Sequence, residues 1–324
     1  MPTIFLQNTG ARLLISLLSF LTGLLACILL AIVEFGAWAL IVPGRGRVGD
    51  AGSDEHSASA EESQLRVQPI QAVGSDGTRL AGLWYPAADR NGGRTVLLLH
   101  GFAEPSSALQ AQRVLALVRN KWNVAAPDLR GYGQSDGMFA SFGGREASDV
   151  RAWIDSLENQ PGLSGLLVPV LWGRSMGAAI AVRAAAEDPR IKALILESPM
   201  VDLNEAMAVW FRNRHLPLSK LLARLVTCRA GQLAGVSLSR PAPIDLAQCV
   251  RCPVLIAHGS DDHLVSPESV RRLARAFTAP PAMIEVPGAG HADVIALGDQ
   301  AIVDQIVQFL REAAAAEDDH TGAC

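Results

Sequence analysis

From about residue 65 onward the chain alternates short, wholly apolar runs with longer amphipathic ones. TVLLL at 95–99, WNVAA at 122–126, PVLW at 169–172, ALIL at 193–196 and VLIA at 254–257 read as strands buried on both faces. The stretches between them, at 107–118, 146–157, 176–186 and 267–277, space their apolar residues as helices do. IEV at 284–286 and an amphipathic helix over 301–314 close the series. Such alternation predicts an α/β architecture, a mostly parallel central sheet flanked by helices on both faces. Residues 201–247 break the rhythm: they hold Trp210, Phe211 and several leucines but no strand, and predict a small helical cap inserted over the edge of the sheet.

The first 43 residues follow another pattern. Residues 13–33 carry no charge, and an α-helix of about 20 residues is what a hydrocarbon core of about 30 Å requires. The expected organisation is an N-terminal transmembrane anchor over 1–43, a flexible linker over 44–64 rich in Gly, Ser, Ala and acidic residues, a globular domain over 65–316 and a polar tail over 317–324. A cleavable signal peptide usually has an apolar region of about 7–15 residues behind a basic start. Here Arg12 alone precedes a longer run, although Ala37-Trp38-Ala39 resembles a cleavage site and keeps cleavage as the alternative. A single-pass membrane location follows. Arg12 and the terminal amine nearly balance Arg45 and Arg47, so the flanking charges assign no side to the domain.

Among 324 residues the formal net charge is -4, and no lysine- and arginine-rich stripe occurs, which excludes nucleic acid as a partner. The five cysteines are scattered and form no disulfide framework. Cys249 and Cys252 make a lone C-x-x-C before a strand. With no second pair or histidine cluster to complete a zinc site, a structural role is expected and no metal is.

The sequence GRSMG at 173–177 lies where a strand ends and a helix begins. A G-x-S-x-G in that context makes a sharp turn that lifts the serine Oγ above the sheet edge, which designates Ser175 as a nucleophile. A serine hydroxyl needs a base, and the base needs a third group to fix its tautomer. Around such a turn the partners follow in the chain order serine, acid, histidine. His258 precedes the candidate acids and His263 directly follows them. His320 lies in the tail, whereas His291, in the post-strand loop PGAGH, can swing over the serine and is the expected base. The loop after the 254–257 strand offers Asp261 and Asp262 as the acid, and Asp202 is a further candidate beyond the 193–196 strand. An oxyanion needs N–H donors: the amide of Met176 after the nucleophile, and that of Phe102 in HGFA at 100–103, where Gly101 permits the turn. His100 is expected to brace that loop.

HGSDDHLV at 258–265 resembles the acid loop H-G-x-x-D-x-x-V of α/β-hydrolases, and DLRGYGQSDG at 128–137 resembles their loop after the fourth strand. Together with HGFA and GRSMG these motifs span residues from about 80 to 293. The chain resembles the serine-hydrolase branch of the α/β-hydrolase superfamily, near serine aminopeptidase S33-like, monoacylglycerol-lipase-like and membrane-anchored Bem46-like proteins. The resemblance selects Asp262 as the acid and leaves Asp261 to cap the loop or the next helix. It implies a serine hydrolase with the triad Ser175, His291 and Asp262 and the oxyanion donors Phe102 and Met176, working without a metal or organic cofactor. A serine at the elbow disfavours dehalogenase and epoxide-hydrolase chemistry, which uses an aspartate there. The apolar cap and the membrane anchor together point to a small-molecule or lipid-derived acyl ester as substrate, as for a carboxylesterase or lipase. Peptidase and thioesterase activity use the same triad, acyl transfer to another acceptor is a variant of it, and a non-catalytic ligand-binding member is the contrasting possibility.

Overall fold

A computed structural model describes residues 3–43, 65–87, 94–102, 108–159 and 169–321. The expected linker over 44–64 and Ala103 lie outside the described residues. Five apolar runs form parallel strands with every residue buried: β3 (Thr95–Leu99), β4 (Asn123–Pro127), β5 (Val170–Arg174), β6 (Ala193–Glu197) and β7 (Val254–Gly259). With β1 (Gln68–Val73), β2 (Arg79–Tyr85) and β8 (Ala282–Val286) they make an eight-stranded sheet in the order β1-β2-β4-β3-β5-β6-β7-β8. β1 and β2 pair antiparallel and β2 joins β4 antiparallel; all other pairings are parallel. The sequence pattern does not single out β1 and β2, which bury only alternate residues at one edge.

Side chains divide by the two-residue period of a strand. Leu97, Leu99, Leu171, Leu194 and Ile256 face one apolar layer, and Val96, Leu98, Trp172, Ile195 and Leu255 face the other. Helices α3 (Glu146–Glu158), α4 (Met176–Glu187) and α8 (Pro267–Ala276) supply buried side chains to the first layer. Helices α2 (Ala108–Arg119) and α10 (Asp299–Thr321), with the single turn α9 (Val294–Leu297), cover the second. The last helix is longer than expected and continues into the segment read as a polar tail.

The insertion at 201–247 is helical. Helices α5 (Leu203–Asn213) and α6 (Ser219–Ala234) pack on each other as the cap, while the short α7 (Pro243–Leu246) drops back against α4 and α8. The N-terminal helix α1 runs over Thr3–Ile41. Its Ala11–Ile41 portion is long and apolar enough to cross a membrane by length and composition. It does not stand apart from the globular domain as the sequence led us to expect. Residues 11–31 are exposed, but Ala37, Leu40 and Ile41 are buried in the same apolar layer as α4, and α1 packs along α6. The physical reason is that an apolar helix face satisfies a protein core as well as it satisfies lipid, so the helix buries its last turns where the cap offers a surface.

Candidate active site

At the end of β5 the chain reverses into α4 within one residue, and Ser175 takes φ 50° and ψ -109°. This left-handed conformation is costly for a non-glycine residue and persists only where the surroundings fix it. They do so by close packing. A β-carbon on Gly173 would overlap the backbone of Gly177 and Ala178, and one on Gly177 would overlap the carbonyl oxygens of Leu99 and His100 at the end of β3. The Ser175 N–H donates to the Glu197 carbonyl oxygen at 2.9 Å, tying the turn to β6.

Beneath the elbow the Glu197 carboxylate is fully buried, accepts two hydrogen bonds from Arg113 and a third from Trp172 Nε1 at 3.1 Å. Burial alone would raise its pKa, but the charges and hydrogen bonds of Arg113, Arg174 and Trp172 hold it below the usual carboxylate range. Arg174, the variable residue before the nucleophile, lies 3.9 Å from that carboxylate and donates to the His291 carbonyl oxygen at 3.4 Å. Sequence reasoning missed this platform. A glutamate ending the buried strand β6, with no apolar reason to be there, was its one legible signal.

The structure brings Ser175, His291 and Asp262 together. His291 Nε2 is 2.9 Å from Ser175 Oγ, and Nδ1 is 2.7 Å from Asp262 Oδ2. The other oxygen of Asp262 accepts the N–H groups of Leu264 and Val265, both at 2.8 Å. Asp262 is only 3% exposed. Burial pushes its pKa up, but the His291 contact and the two amides outweigh it and keep the carboxyl below its ordinary range. The acid and histidine loops are laced directly to each other. Ser260 N–H donates to Val286, Asp261 N–H to Ala289, and Gly288 N–H to Ser260 Oγ at 2.9 Å. Gly259 is required at that crossing, since a β-carbon there would overlap the Ala289 carbonyl. Asp293 accepts the Gly290 N–H at 2.6 Å and braces the far side of the histidine loop.

The competing residues are occupied elsewhere. Asp202 caps α5 by accepting the Glu205 N–H at 3.1 Å and faces Arg240 at 3.3 Å. Asp261 is exposed and accepts from Ser260 Oγ at 2.8 Å; Ser266, not Asp261, caps α8. His263 is exposed. His258 is buried with its Nδ1 3.8 Å from Asp262, and burial lowers its pKa so that it stays neutral. His100 is buried, hydrogen-bonded through Nδ1 to the Gly101 carbonyl at 2.8 Å, and accepts the Leu129 N–H at Nε2, 3.2 Å away. Burial drives its pKa down to about 4. Cys252 is half-buried and packs against the core, and Cys249 is exposed.

Phe102 follows β3 and stacks on Phe142 with ring centroids 5.6 Å apart, and Met176 opens α4. Both border a cavity of about 340 Å³ with Ser175 in its wall. Among the described residues the lining side chains are apolar apart from Ser175: Phe142, Met200 and Val265 from the domain, Leu203, Met207 and Trp210 from the cap, and, unanticipated from sequence, five residues of α1.

The family described as serine aminopeptidase, S33, matches residues 93–245, and that described as TAP-like protein matches residues 220–322. An uncharacterized protein of Mycobacterium tuberculosis is 33% identical over 239 residues, 74% of this chain and 77% of that protein. The α/β-hydrolase domain-containing protein WAV2 of Arabidopsis thaliana is 26% identical over 256 residues, 77% of this chain and 80% of its own. Among solved structures, an esterase of Pyrococcus furiosus superposes with a TM-score of 0.66 at 22% identity, covering 84% of this chain and 98% of that one. With the sheet order, the elbow and the matched families all in agreement, the chain belongs to the α/β-hydrolase superfamily.

Proposed function

We propose that this hydrolase is a serine esterase that cleaves carboxylic esters of apolar acyl groups through an acyl-enzyme intermediate. The observation that carries the reading is the unbroken hydrogen-bond chain from Ser175 through His291 to Asp262. In the first step His291 Nε2 takes the Ser175 proton as Oγ bonds to the ester carbonyl carbon. The developing oxyanion is held by the N–H groups of Met176 and Phe102. Collapse of the tetrahedral intermediate breaks the C–O bond, and His291 returns the proton to the departing alcohol. Water, deprotonated by the same imidazole, then releases the acid and restores Ser175. Asp262 keeps Nδ1 protonated and stabilises the imidazolium that forms twice per turnover. An ester is favoured over a peptide because, among the described residues, the side chains lining the cavity are apolar apart from Ser175, a wall that suits an acyl chain better than a peptide backbone.

The same reading makes α1 a retained membrane anchor. Cleavage at the Ala37-Trp38-Ala39 sequence would remove Ala37, which is wholly buried, and part of the cavity wall. A fluorophosphonate probe tests the catalytic proposal: it is expected to modify Ser175, and Ser175→Ala is expected to lose both the label and turnover of a p-nitrophenyl ester. Retained turnover in the folded Ser175→Ala variant overturns it.

A further inference from the structure

The end of the N-terminal helix is locked onto the domain at several independent points. Gly36 lets α1 approach α6 so closely that an added β-carbon would sit 3.1 Å from Val226 Cγ2. Glu34 pairs with Arg229 through two contacts, at 2.7 and 2.9 Å. The Ile41 carbonyl accepts the Ala140 N–H at 2.8 Å, and Trp38 stands edge-on to Phe139 with centroids 5.7 Å apart. Thus docked, Ile32, Phe35, Gly36, Ala39 and Leu40 line the cavity that contains Ser175, alongside the cap residues Met207 and Trp210.

The exposed part of α1, residues 11–31, is about 30 Å long at a rise of about 1.5 Å per residue, enough for one hydrocarbon core. With that part in the bilayer, the cavity-lining turns emerge at the interface. Three aromatic rings mark this level: Phe35 is 78% exposed, Trp38 41% and Trp210 39%. Such rings settle where hydrocarbon meets headgroups. The cavity volume of about 340 Å³ is near the lower end of the roughly 300–1,000 Å³ of small-molecule sites, room for one acyl chain rather than several.

We propose that the membrane anchor completes the acyl-chain site: the last turns of α1 form one wall of the pocket, set the length of acyl chain it accepts, and take single-chain esters directly from the bilayer. The proposal rests on the esterase reading and deepens it. Loss of α1 would then remove part of the specificity pocket, not only the attachment.

The test uses the full-length protein in lipid nanodiscs and a series of p-nitrophenyl esters from acetate to hexadecanoate, read as the ratio of kcat/KM for long to short chains. Ala39→Trp fills the pocket beside the interface and is expected to lower that ratio at least about tenfold, the discrimination a single methylene can produce in an apolar pocket. Leu40→Ala enlarges the pocket and is expected to move the optimum to longer chains. Leu25→Phe, on the exposed stretch, leaves the ratio unchanged. Thermal midpoints and fluorophosphonate labelling of Ser175 report folding. Because the two pocket variants shift the profile in opposite directions, general destabilisation cannot imitate them, and either one that folds decides the matter. A wild-type chain-length profile in a folded, labelled pocket variant overturns this inference alone. A wild-type protein that hydrolyses no ester and is not labelled at Ser175 overturns the esterase reading and this inference together.

Discussion

Replacing Asp262 by asparagine preserves shape and changes one donor–acceptor relation. The new carboxamide would keep an oxygen for the Leu264 and Val265 amides, both 2.8 Å from the present carboxylate. Its NH2 would then lie where Oδ2 now sits, 2.7 Å from His291 Nδ1. Two N–H groups cannot share that contact, so the imidazole changes tautomer: Nδ1 accepts, and Nε2 carries its proton toward Ser175 Oγ, 2.9 Å away. A protonated Nε2 cannot serve as base. The expected loss in kcat is about 10⁴, equivalent to about 5.5 kcal/mol at about 1.36 kcal/mol per decade. KM is expected to change little, because the cavity is apolar and Asp262 does not line it. Asp262→Ala should lose activity and stability together, since the two amides would also lose their acceptor, at about 1–3 kcal/mol for each group left unsatisfied and buried. Steady-state kinetics on a p-nitrophenyl ester, with thermal midpoints, separate the variants. A folded Asp262→Asn enzyme within tenfold of wild-type kcat would refute the argument, since the base would then be oriented by something else.

Two further outcomes follow from packing and burial. Gly177→Ala places a β-carbon against the Leu99 and His100 carbonyls. These belong to the sheet edge and cannot rotate away, so overpacking of about 1–3 kcal/mol or more should lower the thermal midpoint by several degrees and displace the nucleophile; unchanged stability and activity would refute the close approach. His100 titrates near 4 in the folded protein, against about 6.5 in an unfolded chain. Between those values the unfolded state binds a proton that the native state refuses, so stability falls as pH falls, by up to about 1.4 kcal/mol per pH unit. His258 acts in the same direction, and the depressed Asp262 adds its own loss only below its unfolded pKa. Urea midpoints at pH 7 and pH 5 should therefore differ, and less so in His100→Gln; a flat profile would contradict neutral burial of His100.

The parts of the fold legible in the sequence are those in which one physical demand acts alone. β3 through β7 are buried on both faces and therefore read as continuous apolar runs. The elbow was legible because a strand-to-helix reversal leaves room only for glycine on either side of Ser175. β1 and β2 escaped because a half-exposed edge hairpin alternates weakly, and β1 carries Pro69. The docking of α1 escaped for another reason. Lipid and protein core select the same side chains, so Leu40 and Ile41 in a packed interface look like any residue of a membrane span. Glu34 and Gly36 were the legible exceptions: a charge ending an apolar run calls for a partner, found in Arg229, and a glycine in a helix permits close approach, found at Val226.

On the proposed reading of α1 as a membrane anchor, this docking changes what anchoring does. If α1 were joined to the domain only through residues 44–64, the active site could sample many heights and orientations above the bilayer, each acyl chain would have to leave the lipid before meeting Ser175, and the linker length would govern the encounter. With Ala37, Leu40 and Ile41 inside the core that also holds Met176 and the cap, the geometry is set by side-chain packing instead. Residues 44–64 then need only connect two ends that are already placed. Lengthening or shortening that segment should leave chain-length preference untouched, whereas a single substitution on the α1 face toward the cavity should alter it.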